Sequence, residues 1–249
     1  MVEMFDEVID GIPVLHAAPA GKQGQSLPTI FFYHGFTSSK EVYSYFGYAF
    51  AKAGFRTILP EANLHGARFN GDSAYRLAHF WDILKSNIDE LPNIYQHYQR
   101  EGLILDNRVG LCGASLGGMT TLGAKVRYPW IQAAASFMGS GYYLSLAPTL
   151  FPPFEAQPPE SRQQLTTDLA FLADYQVVDR LEKLADKPLL IWHGLADDLV
   201  PAEESRRLIR DLGEQNLLAQ VRFETEPAIG HKITVSALDV GVQFFSRHL

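Results

Sequence analysis

The chain has 249 residues, of which 47% are hydrophobic, so it can bury a large core and is not an intrinsically disordered protein. Its formal net charge of -7 at pH 7 and its lack of any lysine- or arginine-rich run argue against a nucleic-acid partner and against an anionic membrane surface. The single cysteine excludes an internal disulfide and a multi-thiolate zinc site, so packing alone must stabilise the fold.

The N-terminal segment lacks the pattern of a secretory signal. It has no basic residue before Lys22, whereas a signal begins with positive charge followed by an apolar stretch. The longest stretch without a charge lies between Arg127 and Glu155, and glycines and prolines interrupt it. A membrane-spanning helix needs about 20 consecutive, mainly apolar residues. We therefore expect a cytoplasmic protein without membrane insertion.

Short apolar runs typical of buried strands alternate with longer helical patterns along the chain. In the first half, strands are predicted at 29–33, 55–59 and 108–112, and helices at 43–53, 73–100 and 116–127. In the second half, strands are predicted at 131–137, 187–193 and 217–224, and helices at 202–212 and 235–247. This alternation indicates βαβ units, so the predicted fold is α/β, with a mostly parallel central sheet and helices on both faces.

One segment interrupts the alternation. Residues 142–180 are rich in aromatic side chains and prolines and include a helical stretch at 160–175. We interpret this segment as a small cap inserted into a single domain that spans residues 1–249. Ligands of parallel sheets bind beyond the carboxyl ends of the strands, so the functional residues should lie on the loops that follow them.

The sharpest local signal follows the predicted strand 108–112 and reads Gly113-Ala114-Ser115-Leu116-Gly117. A nucleophilic serine on a tight strand-to-helix turn has a strained backbone, and side chains two positions away would collide with the crossing elements. Glycine at both positions removes that collision. We therefore predict that Ser115 is a nucleophile and that the amide of Leu116 faces a bound oxyanion; the alternative is an ordinary glycine-rich turn.

A serine nucleophile needs a base, and the base needs an orienting carboxylate, in the chain order serine, acid, histidine in this type of fold. His231 follows the last predicted strand and is the expected base, whereas His248 lies at the end of an amphipathic helix and should be solvated. Asp197, after the strand 187–193, is the expected acid. Its neighbour Asp198 is the alternative.

Acyl transfer also requires donors for the oxygen that becomes negative. Besides Leu116, we expect the amide of Phe36, because Gly35 lets the loop after the first predicted strand turn sharply. The alternative is a plain loop. We interpret Cys112 as a buried core residue and His65 as a rim or packing histidine. The sequence has no metal-binding or phosphate-cradling motif, so we expect no metal and no cofactor.

These motifs resemble those of the α/β-hydrolase superfamily, and specifically small bacterial serine esterases of the dienelactone-hydrolase and prolyl-oligopeptidase-like branch. The resemblance spans nearly the whole chain and is closest to YjfP-like esterases. It rests on four motifs: His34-Gly35-Phe36-Thr37, the Ser115 motif 113–117, His193-Gly194 with Asp197 and Val200-Pro201, and Gly230-His231. Further matches lie at 42–46, 138–142 and 150–153. The resemblance implies carboxylic-ester hydrolysis through an acyl-enzyme on Ser115.

We therefore expect a serine carboxylesterase that acts on small-molecule esters with short to medium acyl chains. An acyl-CoA thioesterase or a small serine peptidase would use the same triad and is the main alternative. A non-catalytic binding protein of the same fold is a further alternative, but such a protein is expected to have lost a triad member, and all three are present.

Overall fold

The computed structural model describes residues 1–154 and 159–249. Its centre is an eight-stranded sheet in the order β1-β2-β4-β3-β5-β6-β7-β8. The strands are β1 Val2–Ile9, β2 Ile12–Pro19, β3 Leu27–Tyr33, β4 Arg56–Pro60, β5 Ile104–Ala114, β6 Ala133–Phe137, β7 Leu189–Gly194 and β8 Val221–Glu226. Strands β3 to β8 pair in parallel, whereas β1 and β2 join antiparallel at one edge.

Helices cover both faces of this sheet. They are α1 Ser44–Lys52, α2 Ser73–Ala78, α3 Phe80–Arg100, α4 Leu116–Lys125, α5 Tyr143–Leu146, α6 Pro159–Asp168, α7 Leu181–Ala185, α8 Ala202–Glu214 and α9 Val235–His248. The predicted α/β fold with a mostly parallel sheet is confirmed. None of the helices in the described part of the chain is long and apolar enough to cross a lipid bilayer.

The sheet separates two hydrophobic cores. On one face, Ile83 and Leu91 of α3 pack with Met119 and Leu122 of α4. On the other face, Phe46 and Phe50 of α1 pack with Phe244 and Phe245 of α9. The central strands β4, β6 and β7 are buried along their whole length, as expected for a parallel sheet covered on both faces. The core therefore fixes the carboxyl ends of the parallel strands, where the site lies.

The N-terminal hairpin of β1 and β2 was not predicted. The two strands meet at a two-residue turn in which Asp10 has φ 49° and Gly11 has φ 81°. An Asp-Gly pair between alternating strands is a strong hairpin signal, because both residues tolerate positive φ. The signal was therefore present in the sequence, but the acidic, exposed residues of β1 obscured its strand pattern.

The predicted helix at 73–100 is two helices, α2 and α3, that meet at His79. Asp72 caps α2, because its carboxylate accepts a hydrogen bond from the amide of Tyr75 at 2.9 Å. Pro92 lies inside α3. Leu77, at the end of α2 close to this break, lines the site cavity.

The segment predicted as a cap, residues 142–180, contains α5, α6 and a 3-10 turn at Ala170–Asp174, and α7 begins directly after it. It is anchored to the helices beneath it. The Tyr143 hydroxyl donates to the carbonyl of Met119 at 2.6 Å, and the Trp81 indole donates to the carbonyl of Leu150 at 3.1 Å. Residues 155–158 of the predicted 142–180 cap lie outside the described residues.

Candidate active site

Ser115 lies at the sharp turn between β5 and α4. Its backbone has φ 57° and ψ -116°, a conformation that a residue other than glycine adopts only under strain. Its amide donates a hydrogen bond to the carbonyl of Phe137 at 2.8 Å. The helix begins at the next residue, Leu116. The turn therefore lifts the Ser115 hydroxyl above the carboxyl edge of the sheet.

The glycines on both sides of this turn are required by close backbone contacts. A Cβ atom at Gly113 would overlap the carbonyl of Gly117, and one at Gly117 would overlap the carbonyl of Tyr33 in β3. In both cases the obstacle is backbone, which cannot move aside as a side chain can. The collision predicted for a side chain at either glycine of the motif is therefore confirmed by the structure.

His231 reaches Ser115 from the loop that follows β8. Its Nε2 atom lies 2.8 Å from the Ser115 hydroxyl oxygen. The loop is docked onto the segment that follows β7, because the amide of Ala196 donates to the carbonyl of Ile229 at 2.9 Å. Its other end is fixed by Thr234, whose hydroxyl caps α9 at the amide of Ala237. The loop that carries the imidazole is thus fixed at both of its ends.

Asp197 lies on the far side of this imidazole. Its Oδ2 atom is 2.7 Å from Nδ1 of His231, and its Oδ1 atom accepts hydrogen bonds from the amides of Leu199 and Val200, each at 3.0 Å. The carboxylate is completely buried, whereas 18% of the His231 side chain is exposed. The structure therefore brings together the three side chains that were predicted from chain order.

A further histidine, His193, is buried beside Asp197, and its contact with this carboxylate was not predicted. Nε2 of His193, at the end of β7, lies 2.9 Å from the carbonyl of Val200 and 3.3 Å from Oδ2 of Asp197, and its Nδ1 lies 2.7 Å from the Ser205 hydroxyl. Burial raises the pKa of Asp197, but hydrogen bonds from His193 and His231 outweigh that effect and hold the pKa well below its usual range. The carboxylate is therefore ionised at neutral pH.

The alternatives considered for these positions lie elsewhere. The Asp198 side chain is exposed and lines an outer cavity rather than contacting His231. His248 is exposed at the end of α9, where its ring packs on Phe244. Cys112 is completely buried, and burial raises the pKa of its thiol well above the ordinary value, as expected for an unreactive core residue.

The loop after β3 lies directly beside Ser115. A Cβ atom at Gly35 would be 3.6 Å from Cβ of Ser115 and 3.0 Å from the Tyr43 hydroxyl. Thr37 has φ 60°, so the loop turns back on itself within three residues. The amide of Leu116 is the first in α4 and has no acceptor within the helix. The two predicted oxyanion donors, Phe36 and Leu116, thus belong to segments that border the serine.

Two buried histidines lie behind this loop. Nδ1 of His34 is 2.8 Å from the carbonyl of Gly35, and its Nε2 lies 3.1 Å from the amide of Ala62 and 3.0 Å from a carboxylate oxygen of Glu61. Nε2 of His65 accepts a hydrogen bond from the amide of Thr37 at 2.9 Å. The sequence interpretation of His65 as a rim or packing residue therefore missed a direct contact with the loop.

Comparison with known proteins assigns the chain to a family. The model of the prolyl oligopeptidase family matches residues 44–247, which is most of the chain. The chain belongs to the prolyl oligopeptidase family. A relative from Escherichia coli strain K12, named esterase YjfP, is 45% identical over 249 residues, and the match covers 100% of both chains.

Solved structures show the same fold as this member of the prolyl oligopeptidase family. The crystal structure of TT1662 from Thermus thermophilus superimposes with a TM-score of 0.78 at 20% identity, covering 99% of this chain and 98% of that one. A puromycin-hydrolyzing peptidase of Mycobacterium tuberculosis gives a TM-score of 0.74 at 20% identity, covering 99% of this chain but 39% of that one. Together with the sheet and the helices, these likenesses establish the α/β-hydrolase fold.

In this member of the prolyl oligopeptidase family, a cavity of about 250 Å³ opens beside Ser115 and His231. Its remaining lining is mainly apolar and consists of Gly35, Phe36, Thr37, Tyr43, Leu77, Phe80, Leu150, Phe151, Leu199 and Val200. Within residues 1–154 and 159–249, no Asp, Glu, Lys or Arg side chain lines it, and no cluster of three metal-ligating side chains occurs. The cavity therefore suits a neutral, apolar group.

Proposed function

We propose that this protein is a serine esterase that hydrolyses carboxylic esters with short to medium acyl chains through an acyl-enzyme on Ser115. The observation that carries the proposal is the continuous hydrogen-bonded array Ser115–His231–Asp197, with distances of 2.8 Å and 2.7 Å. The 45% identity to a protein named esterase YjfP supports the choice of an ester as substrate.

In the first step, the Ser115 oxygen attacks the ester carbonyl carbon while Nε2 of His231 takes the hydroxyl proton. This proton transfer requires that Nε2 be unprotonated, and therefore that the ring proton lie on Nδ1. Asp197 fixes that arrangement because its carboxylate can only accept, and it faces Nδ1. The ionised carboxylate then stabilises the imidazolium that forms.

The attacked carbonyl oxygen becomes negative in the tetrahedral intermediate and needs donors. The amides of Phe36 and Leu116 are proposed for this role, because their segments border Ser115 from two directions. Each such donor contributes about 2.7–4 kcal/mol to transition-state stabilisation in serine hydrolases. Collapse of the intermediate expels the alcohol, which receives its proton from His231, and leaves the acyl group on Ser115.

Water then completes the cycle. His231 removes a proton from a water molecule that attacks the acyl carbon, and the second tetrahedral intermediate is stabilised by the same donors. When it collapses, the Ser115 oxygen leaves and takes the proton back from His231. The products are the carboxylic acid and the free enzyme, and the balance requires no cofactor.

The shape and polarity of the cavity support a neutral acyl group as the substrate. The lining offers apolar side chains such as Phe80, Leu150 and Val200, and none of the described residues that form it is an Asp, Glu, Lys or Arg that could pair with a charged acyl chain. We further propose that residues 142–180 act as a small cap on the single domain 1–249, because Leu150 and Phe151 of this segment line the cavity.

A series of p-nitrophenyl esters with two to sixteen acyl carbons tests the proposal. Wild-type protein should hydrolyse the shorter members, and Ser115→Ala should reduce kcat to the background level while leaving the thermal unfolding temperature unchanged. Labelling by a fluorophosphonate probe should require Ser115. Retained turnover in Ser115→Ala would show that the serine is not the nucleophile.

A second candidate function is hydrolysis of acyl-CoA thioesters or peptides by the same three side chains. The family match supports peptide hydrolysis as a candidate, because the name of the prolyl oligopeptidase family refers to peptides. A panel that combines simple esters, acyl-CoA thioesters and chromogenic peptides distinguishes these substrates by kcat/KM. We expect the simple esters to be preferred, since the part of the cavity lining that the structure describes has no Asp, Glu, Lys or Arg side chain to bind a peptide terminus.

A further inference from the structure

We propose that His65 is a positioning residue, which holds the Gly35–Thr37 loop in the orientation that directs the amide of Phe36 at the reacting oxygen. This inference rests on the proposed function and adds to it a residue outside the triad and the oxyanion donors. Its ring is fully buried and lies between the loop and the segment that follows β4. It contacts the loop twice: the Thr37 amide donates a hydrogen bond to Nε2 at 2.9 Å, and the Phe36 ring meets the His65 ring edge-on with the centroids 5.3 Å apart.

The neighbours of the ring determine where its proton lies. Nδ1 is 2.8 Å from the carbonyl of Asn63, and a carbonyl can only accept, so Nδ1 must carry the hydrogen. Nε2 is then the acceptor that the Thr37 amide requires. The backbone of His65 is itself fixed, because its amide donates to the carbonyl of Ala62 at 3.1 Å.

A neutral ring is needed for this arrangement, and the surroundings maintain it. The pKa of His65 is lowered to about 4: burial is the main cause, the neighbouring His34 and Arg76 act in the same direction, and the Asn63 carbonyl and Glu61 partly oppose them. At neutral pH the Nε2 lone pair is therefore available to Thr37.

The hydrogen bond acts on a loop that is strained. Thr37 is a β-branched residue with φ 60°, a strained conformation that persists only where neighbours impose it. The bond from its amide to the buried His65 ring is one such constraint. Without it, we expect the loop to relax toward an unstrained backbone.

The geometry of the peptide plane links this constraint to Phe36. The amide of Phe36 and the carbonyl of Gly35 belong to one planar trans peptide, so they point in opposite directions. His34 holds that carbonyl through Nδ1, and His65 holds the next amide along the chain. With the peptide plane fixed on both sides, the Phe36 amide cannot rotate away from the oxyanion position.

Two conservative substitutions separate the positioning role from simple packing. In His65→Asn, the side-chain amide reaches the Nδ1 position and can keep the bond to Asn63, but it leaves the Thr37 amide without an acceptor. In His65→Gln, the longer side chain places its oxygen near the Nε2 position and can accept from Thr37. His248→Asn, on the exposed end of α9, is the matched control for a histidine-to-asparagine change.

We expect kcat for a p-nitrophenyl ester to fall about 10- to 100-fold in His65→Asn with KM changed less than about threefold, because only the transition state uses the Phe36 donor. His65→Gln should recover at least about tenfold of that loss, and His248→Asn should match wild type. Equal kcat in the Asn and Gln variants, or a loss confined to KM, would overturn the proposal.

Amide hydrogen exchange provides a readout that does not depend on ester hydrolysis. The Thr37 amide should exchange faster in His65→Asn than in wild type or His65→Gln, while amides of the central strands stay protected in all three. An unchanged Thr37 rate in His65→Asn would refute the positioning role. Lack of ester hydrolysis by wild type, with this exchange pattern intact, would instead refute the proposed function alone.

Discussion

The role of Asp197 can be tested by a substitution that preserves its shape, Asp197→Asn. Two backbone amides, those of Leu199 and Val200, donate to Oδ1, so the single oxygen of the asparagine amide must occupy that position. Its NH₂ group then replaces Oδ2, 2.7 Å from Nδ1 of His231. The substitution therefore presents a donor where the imidazole has its own hydrogen.

The imidazole can relieve this conflict only by moving its proton to Nε2. Nε2 would then face the Ser115 hydroxyl, 2.8 Å away, with a hydrogen instead of a lone pair, and could not act as a base. In serine hydrolases this wrong tautomer lowers kcat about 10⁴-fold, which corresponds to about 5 kcal/mol of activation free energy. We expect a loss of this order in Asp197→Asn.

The assay is steady-state hydrolysis of a short p-nitrophenyl ester, with Asp198→Asn as the matched control. Asp198 is exposed and does not contact His231, so its substitution should change kcat less than about twofold. A kcat for Asp197→Asn within tenfold of wild type would mean that the carboxylate does not set the tautomer. Equal losses at both positions would contradict the assignment of the acid.

Two further predictions concern the cavity wall and the acid stability. Phe151 has φ 47°, its ring packs on Phe36 and Phe80, and it lines both the site cavity and an outer cavity of about 520 Å³. Phe151→Ala should therefore join the cavities and shift the p-nitrophenyl ester preference to longer acyl chains; an unchanged profile would refute this. Between pH about 4 and about 6.5 the unfolded chain binds a proton that folded His65 does not, so the free energy of unfolding should fall as pH falls, by up to about 1.4 kcal/mol per pH unit. The free energy of unfolding, measured with urea at several pH values, should change less with pH in His65→Gln than in wild type. An equal pH dependence in the two proteins would refute the assignment.

The elements that could be predicted from the sequence are those fixed by local patterns. Buried strands of a parallel sheet read as short apolar runs, and β4, β6 and β7 follow that rule. The turn at Ser115 could be predicted because its glycines are demanded by close backbone contacts that leave a mark in the sequence. By contrast, β1 is an exposed edge strand with charged residues, and its pattern is weak.

The residues that could not be predicted act through contacts between distant loops. His193 and His65 each contact a backbone group, the carbonyl of Val200 and the amide of Thr37, and backbone groups leave no signature in a sequence. A buried histidine that accepts from an amide therefore looks the same in the sequence as one that only fills space. For this reason the sequence suggested a rim or packing role for His65.

The Asp197 carboxylate and the proposed Phe36 donor are oriented in the same way. Asp197 is oriented by the amides of Leu199 and Val200, and the proposed Phe36 donor is oriented by His34 and His65, so in each half hydrogen bonds to the backbone fix the direction of a reactive group. Such bonds are already formed in the protein without substrate. Removing one of them should therefore raise the barrier of the chemical step and leave KM almost unchanged, since the acyl group is bound by apolar side chains of the cavity and not by these backbone hydrogen bonds.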